Sequence, residues 1–315
     1  MINLAIISEN HERVHEWMKI EHVDIAAILL TEGVDSNQIP KELKHKLVHK
    51  PEDILSMDVD LVDLCVPAQV KPDMIRQLYK EGLHIFTETP LATDANLAAT
   101  LYKECKDKMV GLYVGNTIRF SPEFLEARKH VENGQLGRTG VNRISSKDKH
   151  PGDNADIFLE LGAPVFDWLY WTFGEVERVI AKQVQKQRKD GSPVEYALID
   201  LRHEDQTFSH VELSWAGSEK QMSFELTGNQ GMLENDSKNS QPIVVEGAAD
   251  IALEEQILGK TAIQRELDHV VQVIKQSQKP IVTTEDAIKA VKITDAVKKS
   301  VSTGQPVELK EGVIL

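Results

Sequence analysis

The first 118 residues alternate short apolar runs with helix-like segments, and this alternation constrains the fold more than any other feature of the sequence. Helix-like segments at 74–79 and 97–105 place apolar residues three or four positions apart. We expect Gly82 to end the first helix and Thr93 to cap the second. The alternation predicts a doubly wound parallel sheet with right-handed crossovers. The apolar runs lie at 2–7, 24–30, 47–49, 61–66, 84–87 and 110–114.

The pattern changes after residue 118. Helix-like segments at 122–131 and 157–173 precede a series of strand-like segments, which is typical of an antiparallel sheet with helices on one face. Two further helices and a short strand near Val307 end the pattern. A chain of 315 residues is too long for one typical core. We therefore predict an α/β fold with two domains, a Rossmann-type domain at 1–118 and an α+β domain at 119–315. The strand-like segments lie at 176–184, 194–203, 207–215 and 221–227.

Composition narrows the class of protein. The chain is 41% hydrophobic and 27% charged, with a net charge of −14, which disfavours nucleic acid as a partner. No run approaches the roughly 20 apolar residues of a membrane span, and 2–7 is interpreted as a strand and not a signal peptide. Cys65 and Cys105 lack the spacing of a disulfide framework or a zinc site. We expect a cytoplasmic protein whose partners are small molecules or further subunits.

Several short motifs occur in a characteristic order. Glu88-Thr89-Pro90 follows the strand-like run 84–87, Arg119 opens the sequence Arg-Phe-Ser-Pro, and 226–231 is typical of a hairpin between two strands. Together with 62–67 and the segments 266–271 and 280–287, these motifs resemble the glucose/fructose oxidoreductase and inositol dehydrogenase (Gfo/Idh/MocA) family. The resemblance covers nearly the whole chain. It implies a Rossmann domain followed by an α+β domain with a large, mainly antiparallel sheet.

The resemblance also implies an activity. Family members are NAD- or NADP-dependent oxidoreductases of sugars, polyols or related small polar metabolites. They use a Glu-Lys-Pro signature, an Asp-x-x-x-His pair on the first long helix of the second domain, and a glycine-rich first turn. In this chain Thr89 stands in the place of the lysine, Glu160 keeps the acid, and Pro164 stands in the place of the histidine. Proline carries no titratable group and tends to kink or restart a helix.

The first turn contains no glycine. It runs from Ser8 to Arg13 and includes two carboxylates, Glu9 and Glu12, which raise the energy of a bound pyrophosphate. The alternative is a capped helix start, with Ser8 or Asn10 as the N-cap. Transferring the family's cofactor contacts position by position gives a set of candidate cofactor residues. They are Ser8, Asn10, Thr31, Val66, Pro67 and Glu88.

Other residues are candidates to replace the missing groups. Lys149 and His150, in the polar segment 147–156, are a possible cation and a possible base, and with Thr89 and Glu160 they complete the catalytic candidates. The alternative is a solvated loop. The substrate candidates are Asn116, Arg119 and Asp156. A guanidinium binds carboxylates in a bidentate manner, although an ion pair between the domains is an equal alternative for Arg119.

Two functional hypotheses remain open from the sequence. The first is an NAD(P)-linked oxidoreductase with relocated catalytic groups. The second is a non-catalytic family member that binds a ligand or supports an assembly. His203, His210 and His269 lack metal-ligand spacing, so no metal is predicted. Helices are expected to cover only one face of the C-terminal sheet. Burial of the second face against another subunit predicts a homo-oligomer.

Overall fold

The structure is a computed structural model that describes residues 1–152, 155–238, 244–246 and 259–309. The strands are β1 (Ile2–Ser8), β2 (Val23–Leu30), β3 (Leu47–Val48), β4 (Leu61–Cys65), β5 (His84–Glu88), β6 (Leu112–Gly115), β7 (Thr139–Lys149), β8 (Val176–Gln187), β9 (Pro193–His203), β10 (Phe208–Ser214), β11 (Ala216–Gly228), β12 (Met232–Asp236), β13 (Val244–Glu246) and β14 (Val307–Glu308). The α-helices are α1 (Glu12–Trp17), α2 (Pro51–Leu55), α3 (Lys71–Lys80), α4 (Ala95–Asp107), α5 (Pro122–Glu132), α6 (Ala163–Phe173), α7 (Ala262–Ile274) and α8 (Thr284–Thr303).

The chain divides into two compact units. The first consists of 1–120 and 260–288, and the second of 121–259 and 289–315. The segment 260–288, which contains α7, therefore belongs to the N-terminal unit although it lies late in the sequence. Within the described residues, no helix is both long and apolar enough to cross a membrane.

The first unit is built on a six-stranded parallel sheet in the order β3-β2-β1-β4-β5-β6. This is the Rossmann order, and it confirms the predicted doubly wound sheet. Side chains of β1 alternate between the two faces, so that Ala5 and Ile7 join one apolar cluster and Leu4 and Ile6 another. The first cluster includes residues of α3 and α4, and the second includes residues of α1 and α7. Both faces of the sheet are therefore buried.

Local helix signals in this unit were partly predicted. Gly82, just after α3, has a φ of +78°, a conformation that glycine adopts without strain, so the predicted stop is confirmed. The predicted cap of α4 was wrong by one residue. Asp94 is the N-cap, and its carboxylate accepts a hydrogen bond of 2.9 Å from the backbone N–H of Leu97. A carboxylate also interacts favourably with the positive end of the helix, which a threonine hydroxyl does less strongly.

The second unit is built on an eight-stranded sheet in the order β13-β12-β11-β7-β10-β9-β8-β14. All neighbouring pairs are antiparallel except β7 and β10, which are parallel. The sheet is therefore mixed but mainly antiparallel, as the sequence predicted. On β9, Ala197, Ile199 and Leu201 are fully buried while Leu198 is exposed, so one face lies in the core and the other does not.

A proline lies where the helix that follows β7 restarts in the second unit. Phe158–Gly162 forms a π-helical turn, and α6 begins at the next residue with Pro164 in its first turn. A proline is tolerated there because its missing N–H has no partner within the helix. The predicted helix at 157–173 is thus confirmed as two joined segments, with the restart at the proline.

Candidate functional site

The carboxyl ends of the parallel strands align at one edge of the first sheet. Ser8, the last residue of β1, pairs in register with Leu30 of β2 and Cys65 of β4. Glu88 of β5 pairs with Gly115 of β6. In open α/β sheets, ligands bind at this edge, near the point where the strand order reverses. The fold therefore brings most of the predicted cofactor residues to one place.

The first turn uses its own side chains as hydrogen-bond acceptors. The Ser8 hydroxyl accepts a bond of 2.9 Å from the backbone N–H of Asn10 and donates to the Asn10 carbonyl oxygen at 2.8 Å. The Asn10 side-chain oxygen accepts a bond of 2.7 Å from the backbone N–H of Glu12. The N-cap of α1 is nevertheless His11, whose side chain makes no capping hydrogen bond, so the predicted alternative of Ser8 or Asn10 as the N-cap was wrong. Two N–H groups of the turn are thus already satisfied.

A buried ion network lies beneath this turn. The Arg13 guanidinium donates to the Asp63 carboxylate at 2.6 and 3.2 Å and to the Glu88 carboxylate at 2.5 Å. The indole N–H of Trp17 donates to Asp63 at 2.5 Å, and Arg13 lies 5.3 Å from the centre of the Phe86 ring. Burial disfavours the charge of Arg13, but Asp63 and Glu88 raise its pKa well above the ordinary value. The guanidinium is therefore a permanent, paired cation.

This network accounts for the absence of glycine at the end of the turn. Asp63 lies in the middle of β4 beside Ile6 and is fully buried. Arg13 and Trp17 are four residues apart on α1, so both side chains lie on the same face of the helix and reach Asp63 together. Where a glycine would let α1 pack closely on the sheet, this chain fills the space with an arginine and supplies its counter-ion from the strand.

The signature tripeptide contains a hydroxyl without a partner. Thr89 is 9% exposed, and its Oγ1 has no hydrogen-bond partner among the residues that the structure describes. The peptide bond from Thr89 to Pro90 is cis. The Lys71 ammonium, in the first turn of α3, donates to the carbonyl oxygens of Glu88 at 2.5 Å and of Pro90 at 2.8 Å. A buried cation therefore holds the residues on both sides of Thr89.

A second buried acid faces the end of β6. Glu266 on α7 is fully buried, and one of its oxygens accepts a hydrogen bond of 3.1 Å from the Thr117 hydroxyl. Its other oxygen, Oε1, has no hydrogen-bond partner within the described residues. Burial and the nearby Glu88 charge raise the pKa of Glu266 well above its ordinary value, which favours the neutral form of this acid. A Cβ atom at position 115 would lie only 2.5 Å from Oε1, so Gly115 permits this approach.

A small cavity of about 20 Å³ borders this acid, which is space for one water molecule. It is also lined by His269 and by apolar side chains that include Phe120 and Val270. The His269 Nε2 accepts a bond of 2.9 Å from the backbone N–H of Ile281, and Nδ1 lies 3.0 Å from the Gln278 side-chain oxygen. Both ring nitrogens are therefore used, and burial lowers the pKa of His269. The cavity is too small for a substrate.

The remaining candidates of the first unit differ in their surroundings. The backbone N–H of Thr31 donates to the Ser8 carbonyl oxygen at 3.0 Å, so the ends of β1 and β2 are tied together. Val66 is buried and Pro67 is exposed. Asn116 is almost fully buried, and its side-chain oxygen accepts a bond of 3.2 Å from the backbone N–H of Ile118. These residues lie at or just beyond the carboxyl ends of their strands.

Arg119 is not arranged as a substrate ligand. It is fully buried, and its guanidinium donates to the Ile281 carbonyl oxygen at 2.9 Å and to the Asp286 carboxylate at 3.0 Å. All three residues belong to the first unit, so the ion pair lies within this unit and not between the domains. The predicted alternative of an ion pair between the domains was therefore wrong in its location, and the guanidinium is directed at the protein itself.

The candidates of the second unit are also engaged in local contacts. The His150 Nδ1 accepts a bond of 3.1 Å from the backbone N–H of Gly152, and its ring lies 4.7 Å from that of Trp215. Lys149, the last residue of β7, is exposed. A ring nitrogen that already accepts a backbone hydrogen bond is not free to remove a substrate proton. Lys149 therefore ends a strand and the His150 ring packs against Trp215, so the structure differs from the solvated loop offered as the alternative, and no contact supports a catalytic role for either residue.

Asp156 and Glu160 belong to the start of the π-helical turn. The Asp156 carboxylate accepts bonds from the backbone N–H groups of Phe158 and Leu159 at 3.0 and 3.2 Å, and its other oxygen lies 2.6 Å from the Lys298 ammonium. Glu160 is exposed and accepts a bond of 3.3 Å from the backbone N–H of Asp156. Both carboxylates thus contribute to a helix start, which differs from the substrate and catalytic roles predicted for them.

Comparison with known proteins identifies the family. The model described as "Oxidoreductase family, NAD-binding Rossmann fold" matches residues 5–116, and the model described as "GFO/IDH/MocA C-terminal domain" matches residues 124–234. The chain belongs to the Gfo/Idh/MocA family. The match confirms the resemblance that the sequence motifs indicated. It also assigns the N-terminal part of this family member to the NAD-binding Rossmann domains.

Relatives of this Gfo/Idh/MocA protein align along nearly its full length. The uncharacterized oxidoreductase YrbE of Bacillus subtilis is 26% identical, with 93% of this chain and 90% of the relative covered. The myo-inositol 2-dehydrogenase of Thermotoga maritima is 24% identical, with 98% and 96% covered. The crystal structure of GenD2 from gentamicin A biosynthesis, solved in complex with NAD, superimposes with a TM-score of 0.81 at 17% identity and covers 98% of this chain and 96% of its own. This last similarity concerns the fold alone.

The family's dinucleotide cofactor can be tested against the residues at the sheet edge. The unpartnered Thr89 hydroxyl is the kind of group that a bound molecule completes, so the end of β5 fits a ligand. At the first turn, the Glu12 N–H is held only by the exposed Asn10 side chain, which a rotation about its own bonds would release. Asn10 and Thr31 are therefore the residues that would hold the phosphate and ribose end, whereas the Ser8 hydroxyl is fully buried and already bonded within the turn.

Several residues of the site were not singled out from the sequence. Arg13, Asp63, Lys71 and Glu266 are all ionisable residues buried in the first unit. Asp63 had a detectable signal, because a carboxylate interrupts the apolar run 61–66. Arg13 had another, because it occupies the last position of the glycine-free turn. Glu266 had none, because only the fold brings α7 to the end of β6.

Proposed function

We propose that this protein is an NAD(P)-dependent oxidoreductase of a polyol, sugar or related small polar metabolite. The observation that carries the proposal is the unsatisfied, buried Thr89 hydroxyl in the signature tripeptide at the carboxyl edge of the Rossmann sheet. Full-length similarity to a myo-inositol 2-dehydrogenase supports the substrate class. A nicotinamide, when bound, supplies the hydride acceptor for oxidation of an alcohol.

The residues of this chain then have binding and positioning tasks. Thr89 donates a hydrogen bond to an oxygen of the substrate. Glu88, held by Arg13 at 2.5 Å, fixes the position of the tripeptide. The raised pKa of Glu266, which results from burial and from the Glu88 charge, disfavours a second negative charge next to Glu88. Since Thr89 carries no charge and Pro164 cannot accept a proton, we expect turnover roughly 10²- to 10⁴-fold slower than with a positioned general base.

The second candidate function is a non-catalytic ligand-binding or assembly protein. The observation that favours it is the self-satisfied first turn, in which Asn10 and Glu12 N–H groups are bound by side chains of the same turn. The exposed Glu9 and Glu12 carboxylates add negative charge where a pyrophosphate would lie. Under this hypothesis the fold is kept without its chemistry.

Titration with NADH and NADPH, followed by nicotinamide fluorescence, separates the two functions. We expect submillimolar binding of at least one nucleotide, and reduction of NAD⁺ or NADP⁺ with a member of a panel of inositols, sugars and sugar acids. Gln substitution of both Glu9 and Glu12 is expected to tighten binding several-fold, because two like charges leave the pyrophosphate site. An absence of binding by every nicotinamide form, in the parent protein and in this variant, would exclude the redox function.

We also propose a homo-oligomer that buries the open face of the C-terminal sheet. Large apolar side chains are exposed on four neighbouring strands of that face, β7 to β10. Phe208 is 46% exposed and lies beside Val141 in the β7–β10 register. An apolar surface spread over several strands is typical of an interface. The exposed residues are Val141, Ile180, Val184, Leu198 and Phe208.

Light scattering coupled to size exclusion tests this interface. We expect a mass at least twice the 35.3 kDa of one chain, and a shift to a single chain when Leu198 and Phe208 are both replaced by lysine. Buried like charges across an interface disfavour association. The control is Met109→Lys, because Met109 is 90% exposed and lies in the first unit, so the mass should not change. A parent protein with the mass of one chain would contradict the proposal.

A further inference from the structure

Lys71 lies in the first turn of α3, and its ammonium is almost completely buried. The side chain is 4% exposed, and its Nζ is bound to the carbonyl oxygens of Glu88 and Pro90. These two residues flank Thr89 in the chain. The ammonium of Lys71 therefore lies against the signature tripeptide of the family. Lys71 follows β4 in the chain, whereas the tripeptide begins at the last residue of β5.

The hydrogen-bonding capacity of this arrangement is incomplete. An ammonium group carries three donors, and Lys71 uses two of them within the described parts of the chain. The adjacent Thr89 hydroxyl has no partner there either. Buried polar groups in folded proteins are nearly always paired. The unused Lys71 donor comes from α3 and the unused Thr89 hydroxyl from the tripeptide whose flanking carbonyls Lys71 binds, and together they are consistent with a missing ligand oxygen.

The charges around Lys71 permit a bound oxygen. Burial lowers the pKa of Lys71 to about 8, against the opposing influence of Cys65, Glu88 and Glu9. Arg13 contributes repulsion. The Cys65 thiol is itself neutral at pH 7, because burial raises its pKa to about 11. The ammonium therefore remains largely protonated at pH 7 but is short of counter-charge, and a hydrogen bond to an oxygen of a ligand would stabilise it.

We propose that Lys71 and Thr89 form a two-donor site for one hydroxyl or carbonyl oxygen of a polyol. This inference rests on the proposed function, because it assigns the substrate contact of the same site. Lys71 then provides, from the start of α3, the positive charge that Thr89 lacks. Both groups are at most 9% exposed, so an oxygen that reaches them leaves water, and its hydrogen bonds are stronger than they are at a surface.

Calorimetric titration with myo-inositol, scyllo-inositol and glucose tests the site, with and without saturating NADH. We expect Lys71→Met to weaken binding of the best probe about 100-fold, since it removes a charged donor, and Thr89→Val to weaken it about 10-fold. Thr89→Ser keeps the hydroxyl and should bind as the parent does. Lys80→Met is the matched control, because Lys80 is the exposed last residue of the same helix.

The threonine pair separates a binding role from a structural one. Thr89→Val removes an unsatisfied buried hydroxyl, so its melting temperature should equal or exceed that of the parent even as binding weakens. If Lys71→Met fails to fold, the comparison of Thr89→Val with the parent protein still tests whether Thr89 binds the polyol. Unchanged affinity in Thr89→Val, or no binding of any probe to the parent protein, overturns the proposal. Polyol binding without nicotinamide binding would refute the redox function and support the polyol site at Lys71 and Thr89. Turnover that neither Lys71→Met nor Thr89→Val changes would support the redox function and refute this site.

Discussion

Replacement of Arg13 by methionine is expected to lower the free energy of unfolding by about 3–5 kcal/mol, the largest effect among the substitutions considered. Arg13 is buried and bound to the equally buried Asp63. Without the guanidinium, the Asp63 carboxylate keeps only the Trp17 indole N–H as a side-chain donor among the described contacts. An uncompensated charge in the core is far more costly than the loss of an exposed ion pair. Urea unfolding followed by tryptophan fluorescence measures the change.

The double variant Arg13→Met with Asp63→Val is the matched control. It removes both charges and replaces them with apolar groups, so we expect most of the lost stability to return. A double-mutant cycle then gives the coupling between the two residues directly. If Arg13→Met alone costs less than about 1 kcal/mol, the pair is solvated and the network does not hold α1 on the sheet.

Replacement of Glu266 by glutamine is expected to stabilise the protein by an amount that grows with pH. Burial raises the pKa of Glu266 well above its ordinary 4.5, so the folded protein keeps a proton that the unfolded chain releases. The contribution of Glu266 to stability is therefore greatest below pH 4.5 and falls as pH rises towards the folded pKa. The slope for one such group is about 1.4 kcal/mol per pH unit. Glutamine does not titrate, so the variant lacks this slope.

Unfolding in urea at pH 5, 6 and 7 measures the difference between parent and variant. The comparison cancels the contributions of the other carboxylates, which both proteins share. Glu32→Gln is the control, because Glu32 is exposed and its substitution should change stability by less than about 0.5 kcal/mol at each pH. A difference between parent and Glu266→Gln that stays constant over this range would show that Glu266 is ionised in the folded protein.

The fold of both units was predicted because it depends on patterns that extend over many residues. In the first unit, apolar runs alternate with helical periodicity, and a buried parallel sheet requires that arrangement. In the second unit, β9 alternates buried and exposed side chains, as a sheet with one covered face requires. The cap at Asp94 was missed by one residue, because neighbouring threonine and aspartate are both good caps and only the backbone geometry distinguishes them.

The site was predicted less completely, because single residues act through contacts between distant segments. Ser8, Glu88 and Thr89 were predicted by transferring the family's positions to this chain, and the fold brings them to one edge of the sheet. His150 was chosen for its residue type and its place in a polar segment, and its bond with the Gly152 N–H and its contact with Trp215 become visible only in the folded chain. The donors of Arg119 are likewise taken by Ile281 and Asp286, more than 160 residues away.

The sequence alone determined the family, the doubly wound parallel type of the first sheet and the three departures at the first turn, at Thr89 and at Pro164. Those properties are local or periodic, so they can be recognised without knowing which segments touch. Only the tertiary structure showed that the departures at the first turn are compensated, because Asp63 is 50 residues from Arg13 and supplies its counter-ion. It also placed the Lys71 ammonium beside Thr89, since parallel strand ends meet at one edge whatever their separation in the chain.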